Sequence, residues 1–394
     1  MISGLDEFIR TDVAPRAQDI DRDATIPPEL VETAAALGLQ RILAGPGGRP
    51  DAARIEEACE VSQAIAAHSP AVALVIAGTR LTTYLLGKYA PVHLVDRWLE
   101  PTLAGRTFGS FAITEPHAGT DIRGMSTVAE LDGDRYVLNG GKCWVGFAPV
   151  ADFAIVLAKV GSTDRDAPMV ALVVDMSSPG ASGRPGPELS GFRGMPNGEL
   201  SFTDVSVPAT DRLEVEGFAG MMDGLNMARI DAAAYACGLL RGALVASLER
   251  ANGRAAFARP LADLAIIQRK IGRIATDYHA ARALTQRAAR SFAEGDGGDQ
   301  DLISMAKMFS SDAARRATDE AMQIHGALGI VTDEPVNRMH RDAKVTQIFD
   351  GTSEIHETML GRRALRAQSA GRLVPFVDDE PAAEPSAPGV GGRR

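Results

Sequence analysis

The sequence predicts an α+β multidomain chain in three parts: an N-terminal α-helical domain, a middle β-barrel or sandwich domain and a C-terminal four-helix bundle. Three observations carry this. Helical patterning fills residues 5–105, strand-length apolar runs replace it over 106–208, and long Ala-rich helical runs return after Gly220. The expected boundaries are 1–105, 106–215 and 216–375, with 376–394 a disordered Pro/Ala/Gly-rich tail.

A chain of 394 residues, 45% hydrophobic, is long enough to bury more than one core. Its net charge of −10, with no basic stripe carrying interleaved aromatics, argues against nucleic acid as a partner. Cys59, Cys143 and Cys237 lie too far apart for a zinc site and suit a reducing compartment. The acidic N-terminus lacks the apolar core of a signal peptide, and no run of about eighteen apolar residues appears. The expectation is a soluble cytoplasmic protein with no metal and no membrane partner.

In the first part, Pro27-Pro28-Glu29 opens a helix that Gly38 ends, because proline suits a first turn and glycine an exit. A helix is expected from near Ala52, a buried Ala-rich one over 70–86, and another over 91–103 stopping at Gly105. In the middle part, strands are expected at 108–114, 126–131, 136–138, 153–160, 169–174 and 200–207. A hairpin turns at Asp132-Gly133-Asp134, and a Gly/Pro-rich loop fills 177–198. In the last part, helices are expected at 222–251, from about Leu264 to Gly295, at 301–325 and after Ser353. Leu264, Ile267, Ile271, Ile274 and Tyr278 form one apolar stripe; Leu302, Met305, Phe309 and Ala313 point inward on the next helix.

Three stretches carry chemistry. The strand end and turn FAITEPHAGTD, residues 111–121, gathers hydroxyls and backbone N–H groups able to hold a phosphate or the polar rim of a flavin. LNGGKCW, residues 138–144, ends on an aromatic ring able to cover a flat cofactor. In RMHRDAKVTQIFDGTSEI, residues 338–355, Asp350 follows two apolar residues and precedes a glycine. Partial desolvation there would raise its pKa towards that of a useful base, although Asp-Gly is also ordinary turn chemistry.

Together with LSFTDVSVP, RAAFARPL and QIHGALGIVTDEPVNRMHRDAKVTQIFDGTSEI, these stretches resemble the acyl-CoA dehydrogenase family from about residue 5 to 370. The resemblance implies a homotetramer, or a homodimer, with FAD between subunits. It implies an acyl thioester as substrate, on CoA or a carrier protein, and electron-transfer flavoprotein or another acceptor for the electrons. Ile113 and Thr114 match positions contacting the flavin ring, Thr120 the pyrophosphate, and Trp144 the aromatic on the isoalloxazine. Arg254 matches an arginine reaching the FAD pyrophosphate of a neighbouring subunit, where its fork of donors suits phosphate oxygens. Gln323 matches a contact to the adenosine half, and Thr352 the FAD-contacting threonine after the base. Ser126, Arg229, Phe349 and Gly351 are candidate substrate neighbours, and His356 is a further candidate neighbour of the pocket.

The family's base takes the substrate α-proton while a hydride leaves the β-carbon, with a backbone N–H and a ribityl hydroxyl stabilising the developing enolate. Asp350 stands at that position, where most members have Glu, and a carboxylate one methylene shorter reaches roughly 1.5 Å less far. Ala228 rules out the alternative base position beside Arg229. Other departures are Gly146, Ala256, Ala258 and Ala327, where the family commonly has a hydroxyl, Thr, Gly and Gly. Three activities follow from the resemblance: α,β-dehydrogenation of an acyl thioester, a flavin oxidase reaction like that of nitroalkane oxidase, or FAD binding with impaired catalysis.

Overall fold

The computed structural model describes residues 2–295 and 297–369. The expected tail at 376–394 and the end of the last domain lie outside them. The chain begins with α1 (Leu5–Phe8), a π-helical turn (Ile9–Val13) and α2 (Ala14–Asp23), which run on continuously, then α3 (Pro28–Ala36). Gly38 follows α3 at φ 75°, the left-handed exit that a glycine takes without steric cost. Next come α4 (Ile55–Ala66), α5 (Pro70–Tyr89) and α6 (Val92–Leu103). The Ser69 hydroxyl accepts from the Val72 N–H, and Pro70 fills the first turn of α5.

The middle domain is a curved mixed sheet of β1 (Gly109–Ala112), β2 (Val128–Asp132), β3 (Arg135–Gly146), β4 (Phe153–Val160), β5 (Met169–Asp175), β6 (Ala181–Pro185) and β7 (Asn197–Pro208). Its order is β1-β4-β2-β3-β7-β6, with β5 also on β4. The predicted hairpin is present: Asp132 pairs with Arg135 and Gly133 turns at φ 60°. Two expectations are corrected. The 177–198 stretch is not all loop, because β6 pairs with β7 despite its glycine and proline; as an edge strand it needs only one partner. β3 does not stop at Leu138 but runs through the glycines to Gly146, where Gly140 takes φ 141° against Thr127.

The C-terminal domain is helical: α7 (Gly217–Gly253), a short hairpin of β8 (Ala255–Ala256) and β9 (Arg259–Pro260), then α8 (Ala265–Ala293), α9 (Gln300–His325), α10 (Pro335–Thr346) and α11 (Ser353–Ser369). α7, α8 and α9 pack lengthwise and α11 lies on α9. α10 was not expected as a helix: its short apolar line of Val336, Met339 and Ala343, buried in the core, is interrupted by the charges of RMHRDAK. On α8 only Ile274 of the expected stripe is fully buried. On α9 Ala313 is fully buried as expected, while Leu302, Met305 and Phe309 are half-buried beside a fully buried line of Ile303, Ala306, Lys307 and Ser310. Small residues let α7 and α9 approach closely, and the larger neighbours take the flank. α5 and α7 are long and apolar enough to cross a membrane by length and composition, but most of each apolar stretch is buried inside the protein.

Candidate active site

The base candidate sits where α10 ends. Asp350 and Gly351 follow it at φ 55° and 101°, two successive left-handed residues that reverse the chain before Ser353 opens α11. A non-glycine residue held there costs about 1 kcal/mol, so its surroundings must fix it. They do so through adjacent carbonyls. Arg229 of α7 donates from Nε to the Asp350 carbonyl at 3.0 Å, and Lys307 of α9 donates from Nζ to the Gly351 carbonyl at 2.5 Å. Arg229 also donates to Asn226 Oδ1 at 3.1 Å. Beneath the turn, His356 is fully buried, and a Cβ on Gly351 would stand 3.0 Å from its Nε2.

The electrostatics follow from burial. Desolvation pushes the Asp350 carboxyl up to about 6, with Lys307 and then Arg229 opposing it and Asp231 assisting. Burial lowers the Lys307 ammonium to about 8 against the attraction of Asp350. Burial, then Arg229 and Lys307, push His356 down to about 4, so it is neutral at pH 7. The cluster thus holds a carboxylate poised near neutrality between two buried cations. Thr352 is half-buried at the α11 entry and its carbonyl accepts from His356 N–H at 3.2 Å. Phe349 is half-buried against Phe192, ring centroids 5.7 Å apart, so core packing accounts for it.

The second group gathers around β1 and β3. Between Lys142 and Val145 the β3–β7 register slips, and Trp144 takes φ 57° in that bulge and is 59% exposed as a residue. Cys143 N–H donates to the Thr114 carbonyl at 2.9 Å, and Lys142 Nζ to the Ile113 carbonyl at 3.0 Å, so Ile113, Thr114 and Trp144 share one corner. Lys142 is paired with buried Glu115 at 2.8 Å. Burial pushes Glu115 up, but Lys142 and the Thr127 and Ser126 N–H groups outweigh it and hold the carboxyl at about 2. Ser126 also gives its hydroxyl to Glu115 at 2.7 Å, so that hydroxyl is already engaged. Thr120 is exposed on the turn that follows β1. The β6–β7 loop touches both groups: Phe192 lies on Phe349, and Met195 Cε would be 2.8 Å from a Cβ on Gly146. That methyl occupies the side where a hydroxyl-bearing residue would project.

Arg254 and Gln323 lie elsewhere. Both are exposed, and they share one end of the helical domain, where Arg250 donates to the His325 carbonyl at 3.4 Å. Arg254 is 25 positions beyond Arg229 on or just past α7, about 37 Å along a helix axis at 1.5 Å per residue. One subunit therefore does not bring Arg254 to Asp350. A cleft of about 370 Å³ lined by Tyr136, Met169, Arg212 and Glu214 is also separate from the base. Among the described residues no cluster of His, Cys, Asp and Glu could hold a metal.

Models of the acyl-CoA dehydrogenase N-terminal, middle and C-terminal domains match residues 2–106, 110–205 and 215–365. The chain belongs to the acyl-CoA dehydrogenase family. It is 33% identical to acryloyl-CoA reductase (NADH) of Anaerotignum propionicum, covering 91% of this chain and 92% of that one. It is 32% identical to cyclohexane-1-carbonyl-CoA dehydrogenase of Geobacter metallireducens, over 91% and 94%. The butyryl-CoA dehydrogenase structure from Megasphaera elsdenii superposes with a TM-score of 0.86 at 30% identity, covering 93% and 97%. The protein thus has the fold of an acyl-CoA dehydrogenase, with a helical domain, a β half-barrel and a second helical domain, and is an oxidoreductase acting on CH–CH bonds.

Sequence reasoning missed Lys307, and gave His356 only as a candidate neighbour of the substrate pocket, not as a buried group beneath the turn. A lysine amid a helical pattern reads as a solvated face, and only its burial marks it. Glu115 was quoted in its motif without a role; its signal was the acidic residue beside the strand end.

Proposed function

We propose that this acyl-CoA dehydrogenase removes the α-proton of an acyl-CoA thioester with Asp350 as base. The observation that carries the reading is Asp350 itself: a carboxylate whose burial pushes it up to about 6, on a turn fixed by Arg229 and Lys307. A base is most useful with a pKa near the working pH, and this one is ionised but still basic at pH 7.

The residues present fit FAD. Trp144 offers an exposed aromatic face on a strained bulge, beside the β1 end that carries Ile113 and Thr114, with exposed Thr120 on the next turn. Bound FAD supplies the hydride acceptor for the bond at the substrate's β-carbon. Trp144 would cover the flat ring system, Ile113 and Thr114 would stand at its rim, and Thr120 would meet the pyrophosphate. The Asp350 carboxylate receives the α-proton and becomes the neutral acid. Arg229 and Lys307 bond the Asp350 and Gly351 carbonyls, and among the described residues no hydrogen bond engages the Asp350 carboxylate, which is thus free to take the proton. Arg254 and Gln323, remote from the base in one subunit, serve the cofactor of a neighbouring one, which makes the working form a homo-oligomer. Electron-transfer flavoprotein is the proposed acceptor, by analogy with caffeyl-CoA reductase-Etf complex subunit CarC of Acetobacterium woodii, a relative 34% identical over 69% of this chain.

The test is anaerobic titration of the yellow protein with a panel of acyl-CoA and acyl-carrier thioesters. Loss of flavin absorbance with one of them is the expected result. No bleaching by any thioester, together with oxygen uptake on a nitroalkane, would overturn the reading.

A further inference from the structure

The turn that presents Asp350 is held by a residue with no obvious reason to be where it is. Lys307 lies in the middle of α9 among Ser304, Ala306, Ser310 and Ser311, all of them buried, and is itself fully buried. An ammonium there has lost its water and must be repaid by a partner. The partner it bonds is the Gly351 carbonyl at 2.5 Å, the peptide oxygen immediately after the base. The carbonyl before it, that of Asp350, is taken by buried Arg229. Two cations from two helices thus grip consecutive carbonyls of a turn whose left-handed φ values the chain would not otherwise favour.

We propose that Lys307 is a positioning residue for Asp350: it pins the Asp350–Gly351 turn by its carbonyl and supplies, from beneath, the positive charge that keeps the carboxylate ionised. This rests on the reading of Asp350 as the base. The other groups facing Asp350 do not replace Lys307. On α7, Arg229 assists and Asp231 opposes ionisation. On α11, His356 is neutral at pH 7, and Glu354 is an acid. On α9, Asp312 shares its own bonds with Gln347 and Ser353. Of the two favourable charges on Asp350, that of Lys307 is the larger.

The experiment uses full-length, FAD-loaded protein. Lys307→Met removes both bond and charge, Lys307→Gln keeps a donor without charge, and Lys307→Arg keeps the charge. Each is melted alone and combined with Asp350→Asn, at pH 7.5 and pH 5. At pH 7.5 the Met and Gln variants should lose more stability with Asp350 present than with D350N, and that difference should shrink at pH 5, where Asp350 is protonated. If Lys307→Met does not fold, the Gln and Arg variants carry the same cycle. In single-turnover flavin bleaching the acid limb should move about one pH unit upward in Lys307→Gln, an about tenfold loss on that limb, and return towards wild type in Lys307→Arg. Equal losses in both backgrounds at both pH values would overturn the proposal and make Lys307 purely structural. If no thioester bleaches the wild-type flavin, the reaction assigned to Asp350 fails, while the melting cycle still decides whether Lys307 sets its charge.

Discussion

Desolvation suits Asp350 to the proposed role of base, and the same fact makes its charge a cost to the fold. Its carboxyl lies at about 6 in the folded chain against 3.8 for the free residue. Between those values the native protein holds a proton that the unfolded chain gives up, so this residue's contribution to stability falls as pH rises through that window. Asp350→Asn should therefore melt above wild type at pH 7.5 and match it more closely at pH 4. The same substitution should retain FAD, by flavin-to-protein absorbance, and lose at least about 100-fold in thioester-driven reduction, the lower range for a positioned base. An Asn variant of full activity would remove Asp350 from the chemistry. In the wild type, kcat/KM should climb about tenfold per pH unit below about 6 and level off above it, as the base loses its proton.

At the scale of elements, two short segments carry strain or charge that the sequence only hinted at. In the β8–β9 hairpin, Phe257 and Ala258 both sit in the left-handed region, at φ 54° and 59°. A two-residue hairpin loop needs this twist, and glycine accepts it freely where alanine does not. Ala258→Gly should raise stability by about 0.5 kcal/mol, the left-handed cost less glycine's extra freedom in the unfolded chain, read by urea denaturation. The second segment is the β1–β3 junction. Glu115 is held at about 2 in the folded chain, so its contribution is fully present above about pH 4.5 and disappears as pH falls towards 2. Glu115→Gln strands Lys142 as a buried cation and should cost about 3–5 kcal/mol at pH 7. Wild-type stability should fall towards that of the variant as both are acidified.

Across the whole molecule, α10 ties three parts together. Arg341 donates to Asp21 of α2 at 2.9 Å and to the Ser190 carbonyl of the β6–β7 loop at 2.7 Å. Asp342 accepts from Phe192 N–H at 2.6 Å, and Arg338 donates to the His68 carbonyl at 2.9 Å. Phe192 then packs on Phe349, one residue before Asp350. Arg341→Ala should cost about 2 kcal/mol, as charged hydrogen bonds do, and should lower the reduction rate as well, because the clamp leads to the Asp350 turn. A stopped-flow comparison at matched flavin content checks this, and a variant destabilised but kinetically unchanged would confine Arg341 to stability.

The sequence by itself determined the order helical, β, helical, because periodicity reports which face of each element meets a core. It also determined the motif residues around Trp144 and Asp350. It could not show β6, whose Gly and Pro read as loop until β7 supplies a partner, nor α10, whose RMHRDAK spends its charges on neighbours in other domains. Lys307 was invisible for the same reason, and His356 was legible only as a candidate pocket neighbour. Their types predict solvent exposure, and only helices packed from distant parts of the chain put them beneath the base. Tertiary structure alone decided that Asp350 is a carboxylate near neutrality between two buried cations, since desolvation and charge depend on what surrounds a group in space rather than on its neighbours along the chain.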